Sequence, residues 1–308
     1  MAAPIRHVVD VSQFDRESTL ALFAAADRLR DLPRGSDLLR GYLLATIFYE
    51  PSTRTRLSFE SAMQRLGGAV ISTENAREFS SAIKGETVED TVRIVGGYAD
   101  AIVLRHHEQG AAHRAAAVAT VPILNAGDGP GEHPTQALLD LYTIRHELGR
   151  IDNLRVALVG DLRFGRTARS LARLFRLSNG GELVFVSPAA VPMGEDVRRE
   201  LDAAGVRWRE ETDLASVLPD VDVVYQTRIQ RERFSTPQEY DAAKGIYIID
   251  QAAMAHLNPG AIVLHPLPRV DEITVEVDAD PRAAYFRQAE NGVYLRMALL
   301  CHVLGVEA

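Results

Sequence analysis

The sequence predicts an α/β protein of two doubly wound domains, each with a mainly parallel sheet, joined by interdomain helices. Three observations carry this. The 308 residues suffice for two domains at roughly 100–200 residues each. Short apolar runs alternate with amphipathic stretches, the pattern of parallel strands linked by right-handed helical crossovers. Most of the apolar runs are continuous rather than alternating, as strands covered on both faces require.

The first set of expected strands covers residues 43–49, 69–72, 101–104 and 121–125. The second covers 156–160, 183–187, 221–225, 246–250 and 262–265. Between strands lie helical stripes, such as Phe59, Met63 and Leu66 after Thr53, and Val88, Val92 and Val95 further on. A helix over 133–149, with Ala137, Leu141, Ile144 and Leu148 on one face, separates the two sets. It is the expected link between a first domain (1–132 plus 288–308) and a second (150–287). The terminal stretch carries Val293, Met297, Leu300 and Leu304 on one stripe and has no strand after it, so it is expected to dock back on the first domain.

Composition narrows the function. Hydrophobic residues make up 46% and charged residues 25%, enough apolar material for packed cores. No apolar run reaches the ~18 residues of a spanning helix, and the start lacks a secretion-signal core. The single cysteine, Cys301, excludes an intrachain disulfide and a multi-cysteine metal site, and a cytoplasmic location is expected. It lies beside the last apolar stripe, where a buried structural thiol is expected. Lys and Arg number 34 against 42 Asp and Glu, a net charge of −8, which argues against nucleic acid and anionic membranes as partners. An anionic ligand must therefore be drawn in by a local cationic cluster.

Ligands of open parallel sheets bind beyond the carboxyl ends of strands, so the residues after each run matter most. There stand Glu50-Pro-Ser-Thr-Arg-Thr-Arg56, Arg105-His106-His107, the glycine-rich stretch from Ala126 to Gln136, Asp161-Leu-Arg-Phe-Gly-Arg166, Gln226-Thr-Arg228 with Gln230, and His265-Pro-Leu-Pro-Arg269. Arginine recurs at almost every strand end. That recurrence suggests an anion-binding cleft between the two domains. Ser52 reads as a helix N-cap, which would leave the amides of Thr53, Arg54 and Thr55 at a positive helix end beside hydroxyls and a guanidinium, suited to phosphate. An ordinary cap with exposed arginines stays open on local chemistry alone. His133 and Gln136 flank Pro134, a residue suited to a first helical turn, and would project from one side of a helix start. A structural histidine is the competing reading.

Residues 160–167 nearly match the phosphate loop of nucleotide-binding proteins, with Asp250 as its acidic counterpart. Arg166 stands where that loop needs lysine, and Asp161 would set a carboxylate in the phosphate cradle. A nucleotide-binding module is thus the alternative from another functional class.

Taken together and in order, these segments resemble the aspartate carbamoyltransferases, over residues 48–300. Ser52-Thr-Arg-Thr-Arg56 alone gives only the wider group shared with the ornithine enzymes. His265-Pro-Leu-Pro268 with Arg166, Arg228 and Gln230 points to aspartate rather than to another amino acid such as ornithine. The stretches Glu78-Phe-Ser-Ser-Ala and Asp280-Pro-Arg-Ala-Ala-Tyr look closest to the plant branch. His107 is a departure, standing where the plant pattern has phenylalanine.

The resemblance implies carbamoyl transfer from carbamoyl phosphate to L-aspartate, the committed step of pyrimidine biosynthesis, with the first domain binding carbamoyl phosphate and the second aspartate. It implies that Ser52, Thr53, Arg54, Thr55, Arg105, His133, Gln136, Pro266, Leu267 and Pro268 bind carbamoyl phosphate. Arg54, Thr55, Lys84, Arg105 and His133 form its catalytic set. Lys84, Arg166, Arg228 and Gln230 bind aspartate. It further implies a homotrimer with shared sites, in which Lys84 and Ser80 come from the adjacent subunit, and no metal or organic cofactor. UMP inhibition is a property of the plant-like branch that His107 puts in question. Whether a regulatory chain or a dihydroorotase associates stays open.

Overall fold

The computed structural model describes residues 7–33, 35–79, 81–229, 236 and 245–308. The chain divides into two compact units, residues 1–139 with 290–308, and residues 140–289. The divisions fall inside α6 (Pro134–Leu148) and α11 (Tyr285–Leu304).

Among the described residues, unit 1 is built on a four-stranded parallel sheet of β1 (Leu43–Phe48), β2 (Ala69–Glu74), β3 (Ala101–His106) and β4 (Ile123–Asp128), in the order β2-β1-β3-β4. Helices α1 (Arg16–Arg30), α2 (Thr53–Arg65), α3 (Ala76–Phe79), α4 (Val88–Val95) and α5 (Ala111–Val118) accompany it. Ala45, Ile47, Ile102, Leu104 and Ile123 on the strands close a core with Val88, Val92 and Ala115 of α4 and α5. Phe59, Met63 and Leu66 are fully buried, as the stripe on α2 requires.

Unit 2 carries a five-stranded parallel sheet in the order β7-β6-β5-β8-β9. Its strands are β5 (Arg155–Val159), β6 (Glu182–Val186), β7 (Arg207–Glu211), β8 (Val223–Gln226) and β9 (Ile262–Leu264). Helices α7 (Arg166–Leu174), α8 (Glu195–Ala203), α9 (Leu214–Val217) and α10 (Gln251–His256) complete it. Ala157, Val159, Val184, Val186, Val224 and Val263 form its central core layer with Met254 and Tyr285.

One sequence expectation needs correction, and one strand lies where none is expected. The apolar stretch 246–250 forms no strand; only Ile249 bridges, to Ile273. Ile246 and Ile248 are solvent-exposed, and Asp250 instead caps α10, accepting from the Ala253 amide at 2.8 Å. Conversely, β7 is a strand whose sequence, Arg-Trp-Arg-Glu-Glu, shows no apolar run. It is an edge strand, and Trp208 supplies its packing, with its ring 5.8 Å from that of Phe185.

Both sheets reverse their winding once. In unit 1 the reversal lies between β1 and β3, and in unit 2 between β5 and β8. Beyond such switch points the connecting loops leave to opposite faces and open a crevice at the carboxyl edge.

Candidate active site

At the switch point of unit 1, β1 leads into the 50–56 segment and β3 ends in Arg105-His106. The register aligns Phe48 with Arg105, and the Tyr49 amide donates to the Arg105 carbonyl at 2.9 Å. Ser52 occupies the N-cap of α2, yet its side chain makes no capping hydrogen bond. The hydroxyl is thus not spent on the helix amides it was expected to cap. Thr55 is buried, whereas Thr53 and Arg54 are exposed. Although Arg54 is exposed, nearby protein atoms displace some of its solvent and lower the guanidinium from its ordinary value. Arg56 turns the other way: its Nη2 lies 2.9 Å from Glu74 on β2, and its Nη1 donates to Ser72 Oγ at 3.4 Å.

Arg105 is placed by a break in the β3–β4 register. Leu104 pairs with Asn125, but His106 pairs with Asp128, so β4 carries an extra residue. The break frees the Ala126 carbonyl, which accepts from Arg105 Nη1 at 3.1 Å. Glu50 Oε2 lies 3.6 Å from Arg105 Nη2, an acidic neighbour that no local sequence pattern singles out. The following loop folds tightly against β3. The Gly129 amide donates to the His106 carbonyl at 2.8 Å, and at φ +58 a Cβ there would press into the His107 carbonyl. Asp128 holds the loop from inside, accepting from Gly110 at 2.8 Å and Glu132 at 2.7 Å.

That loop delivers buried His133 to the start of α6, where its carbonyl accepts from the Gln136 amide at 3.0 Å and Gln136 is half-buried. His106 is buried, its ring tilted against Tyr49 (4.6 Å between centroids) and stacked on His107 (4.3 Å). Burial, then the neighbouring His107, pull its pKa down to about 4, so it is neutral at physiological pH. Lys84 is exposed, on a 3-10 turn (Ser81–Lys84) that leads into α4. Ser80 and Gln230 lie outside the described residues.

At the switch point of unit 2, Arg166 opens α7 and Arg228 follows β8, both half-buried. Gly160 follows β5 at φ +116, and a Cβ there would meet the Thr227 carbonyl and hydroxyl. A backbone approach this close lets the β5 and β8 ends lie side by side. Asp161 Oδ1 accepts the Phe164 amide at 3.0 Å, so the 160–167 loop closes on its own carboxylate rather than around a phosphate. With Asp250 serving as a helix cap, the nucleotide-loop alternative loses both of its supports. A pocket lined by Gly160, Gln226, Thr227, Arg228, Tyr247 and Glu272 opens at this edge. Next along the sheet, β9 runs into His265-Pro266-Leu267-Pro268; Leu267 has φ +51 and the Leu267–Pro268 peptide is cis.

Each unit therefore presents cationic and hydrogen-bonding groups at the carboxyl edge of its own switch point. This donor set suits anionic oxygens and a developing oxyanion.

Comparison with known proteins accounts for both units. Residues 6–146 match the aspartate/ornithine carbamoyltransferase carbamoyl-P binding domain, and residues 152–303 match the Asp/Orn binding domain of the same family. The chain is 59% identical over 297 residues to the chloroplastic aspartate carbamoyltransferase of Arabidopsis thaliana, covering 95% of this chain and 76% of that protein. The catalytic subunit of M. jannaschii aspartate transcarbamoylase superposes with a TM-score of 0.91 at 46% identity, covering 98% of each chain. Aspartate transcarbamoylase from Trypanosoma cruzi, solved with N-(phosphonacetyl)-L-aspartic acid, gives 0.90 at 43% identity, over 98% of this chain and 96% of that one. The two-unit fold, the switch-point chemistry and these likenesses agree, and the chain belongs to the aspartate carbamoyltransferases.

Proposed function

We propose that the protein transfers the carbamoyl group of carbamoyl phosphate to the α-amine of L-aspartate, releasing N-carbamoyl-L-aspartate and phosphate, the committed step of pyrimidine biosynthesis. The observation that carries this reading is the donor set at the switch point of unit 1, where Ser52 and Arg54 open α2 just beyond β1 and Arg105 stands at the end of the adjacent strand β3. Ser52, Thr53, Arg54, Thr55 and Arg105 hold the phosphate. Thr55, Arg105 and His133 polarise the carbonyl oxygen as it becomes an oxyanion. Gln136 and the carbonyls of Pro266 and Leu267 hold the carbamoyl amine, with Pro268 closing that turn. Arg166, Arg228, Gln230 and Lys84 hold the aspartate carboxylates.

The uncharged α-amine attacks the carbonyl carbon. The new C–N bond forms as the C–O bond to phosphate breaks. The departing phosphate accepts the proton that the nitrogen must lose. Fixing two anions in one orientation is the main catalytic contribution.

The same reading makes the protein a cytoplasmic homotrimer, with Lys84 and Ser80 supplied by the adjacent subunit. Supporting it, among the described residues the exposed large apolar side chains of unit 1 (Leu57, Ile71, Ile83, Ile94 and Tyr98) all fall between residues 57 and 98, the stretch that contains Lys84. UMP inhibition stays weak or absent, because His107 stacks on His106 as a polar ring where the plant pattern has phenylalanine.

The test is phosphate release from carbamoyl phosphate by the purified protein. Release is expected with L-aspartate and not with L-ornithine. Turnover with ornithine, or ATP hydrolysis without either substrate, contradicts the reading.

A further inference from the structure

We infer that His265 is a positioning residue whose imidazole locks the backbone of the Pro266–Leu267 pair and so aims their carbonyls. This rests on the proposed function, which gives those carbonyls the carbamoyl amine to hold.

The pair needs a lock. The β9 ladder ends at Leu264, so sheet hydrogen bonds no longer hold the chain. Leu267 sits at φ +51, a region that strains any residue with a Cβ. Carbonyls offered to a ligand cannot also be tied into a ladder. The fixing bonds must come from the N–H side.

They do. The Leu267 amide donates to His265 Nδ1 at 2.7 Å. A backbone N–H can only donate, so Nδ1 must carry the lone pair and the ring proton sits on Nε2. Nε2 lies 2.7 Å from Glu272 Oε1 and donates to that carboxylate. The other carboxylate oxygen accepts the amides of Val270 at 3.1 Å and Asp271 at 3.2 Å. Burial pushes the Glu272 carboxyl up, but the His265 hydrogen bond and the backbone amides outweigh it and hold it low. The ring is thus gripped at both nitrogens, in one tautomer, by groups of its own loop.

The loop is also anchored from behind. The His265 amide donates to Gln288 Oε1 at 2.9 Å, and Gln288 Nε2 donates to Asp140 Oδ1 at 2.6 Å. Asp140 Oδ2 accepts from the Tyr225 hydroxyl at 2.8 Å. His265, Gln288, Asp140 and Tyr225 are all at most 2% exposed. Tyr225 belongs to β8, the strand that ends in Gln226 and leads to Arg228. The buried chain therefore ties the carbonyl-bearing turn to the strand that presents Arg228. An unmade bond inside it leaves a desolvated group unsatisfied.

Two variants separate the roles of the ring atoms. His265→Asn keeps an acceptor where Nδ1 stands but cannot reach Glu272. His265→Gln reaches toward Glu272 but offers Leu267 no acceptor. Losing the Leu267 bond is worth about 1.4 kcal/mol, so His265→Gln should raise the KM for carbamoyl phosphate ~10-fold. Its KM for aspartate and its kcat should change far less. His265→Asn should keep the carbamoyl phosphate KM near wild type, even though both variants lower the melting temperature.

A separate measurement does not depend on turnover. In protein labelled with ¹⁵N-histidine, the resonance lost in His265→Asn should show an unprotonated Nδ1 and a protonated Nε2 at neutral pH. Equal KM values for the two variants, with only stability changed, overturn the proposal. A protonated Nδ1 overturns it also. If the wild-type protein fails to carbamoylate aspartate, the proposed function is at fault, and the nitrogen shifts still decide the lock. If His265→Gln does not fold, a large rise in carbamoyl phosphate KM in His265→Asn contradicts the proposal.

Discussion

Arg54 belongs to unit 1 and Arg228 to unit 2, so removing each should injure a different binding event. A charge pair lost from a desolvated site costs ~2–5 kcal/mol, or roughly 30- to 4,000-fold. Arg228→Ala should nearly abolish turnover while calorimetry still detects carbamoyl phosphate binding. Arg54→Ala should lose that binding. Equal loss in both variants contradicts the assignment. His106 makes a prediction of another kind. Its pKa in the fold is about 4 against an ordinary 6.5. The unfolded chain therefore binds the proton first as pH falls. The stability that neutral His106 contributes is complete above pH 6.5 and is lost progressively toward pH 4, by about 3 kcal/mol at most. Nδ1 accepts the Glu108 amide at 3.0 Å, so His106→Asn keeps an acceptor without the titration. Melting temperatures measured from pH 7 to pH 4 should fall less steeply for His106→Asn. Parallel curves would show that His106 does not drive the acid sensitivity.

At the scale of the element, the start of α2 divides its two arginines. Arg54 stays exposed beside the N-terminus, while Arg56 reaches Glu74 at 2.9 Å and Glu60 at 4.0 Å. Glu60 itself accepts from Thr46 at 3.0 Å and Ser72 at 2.7 Å. Arg56 therefore ties the first turn of α2 to β1 and β2. Arg56→Ala should lower stability by ~1 kcal/mol, read in chemical denaturation, and reduce carbamoyl phosphate affinity less than Arg54→Ala does. The sequence could not separate the two arginines, because the choice depends on Glu74 lying across the β1–β2 pair. The same limit explains the strand errors. Residues 246–250 are apolar but find no neighbour to pair with beyond Ile249. β7 is polar, yet its backbone pairs with β6 along its whole length, and ion pairs such as Arg198–Glu210 (3.0 Å) cover it. Continuous apolar runs made the buried strands legible, whereas an edge strand needs no such run.

At the scale of the molecule, the sequence made the α/β class readable and placed arginines at strand ends. It did not reveal which partner each side chain takes. Glu50 beside Arg105, and Glu272 beside His265, are products of tertiary folding that no local pattern announces. The assembly is testable in the same terms. If Lys84 serves the neighbouring subunit, Arg54→Ala and Lys84→Ala are each nearly inactive alone. Unfolded together and reassembled in equal amounts, they should recover roughly a quarter of the sites, because each site needs one particular variant on each side. Mixed trimers without recovered activity would place Lys84 in its own chain's site or outside it.

Carbamoyl transfer moves one carbon from phosphate to the aspartate nitrogen. It is tested most directly by NMR of the product made from ¹³C-carbamoyl phosphate and ¹⁵N-L-aspartate. A one-bond carbon–nitrogen coupling in N-carbamoylaspartate, appearing in step with released phosphate, is the predicted result. Labelled carbon that is found only in breakdown products, or joined to ornithine when both amino acids are offered, rules out aspartate as the acceptor.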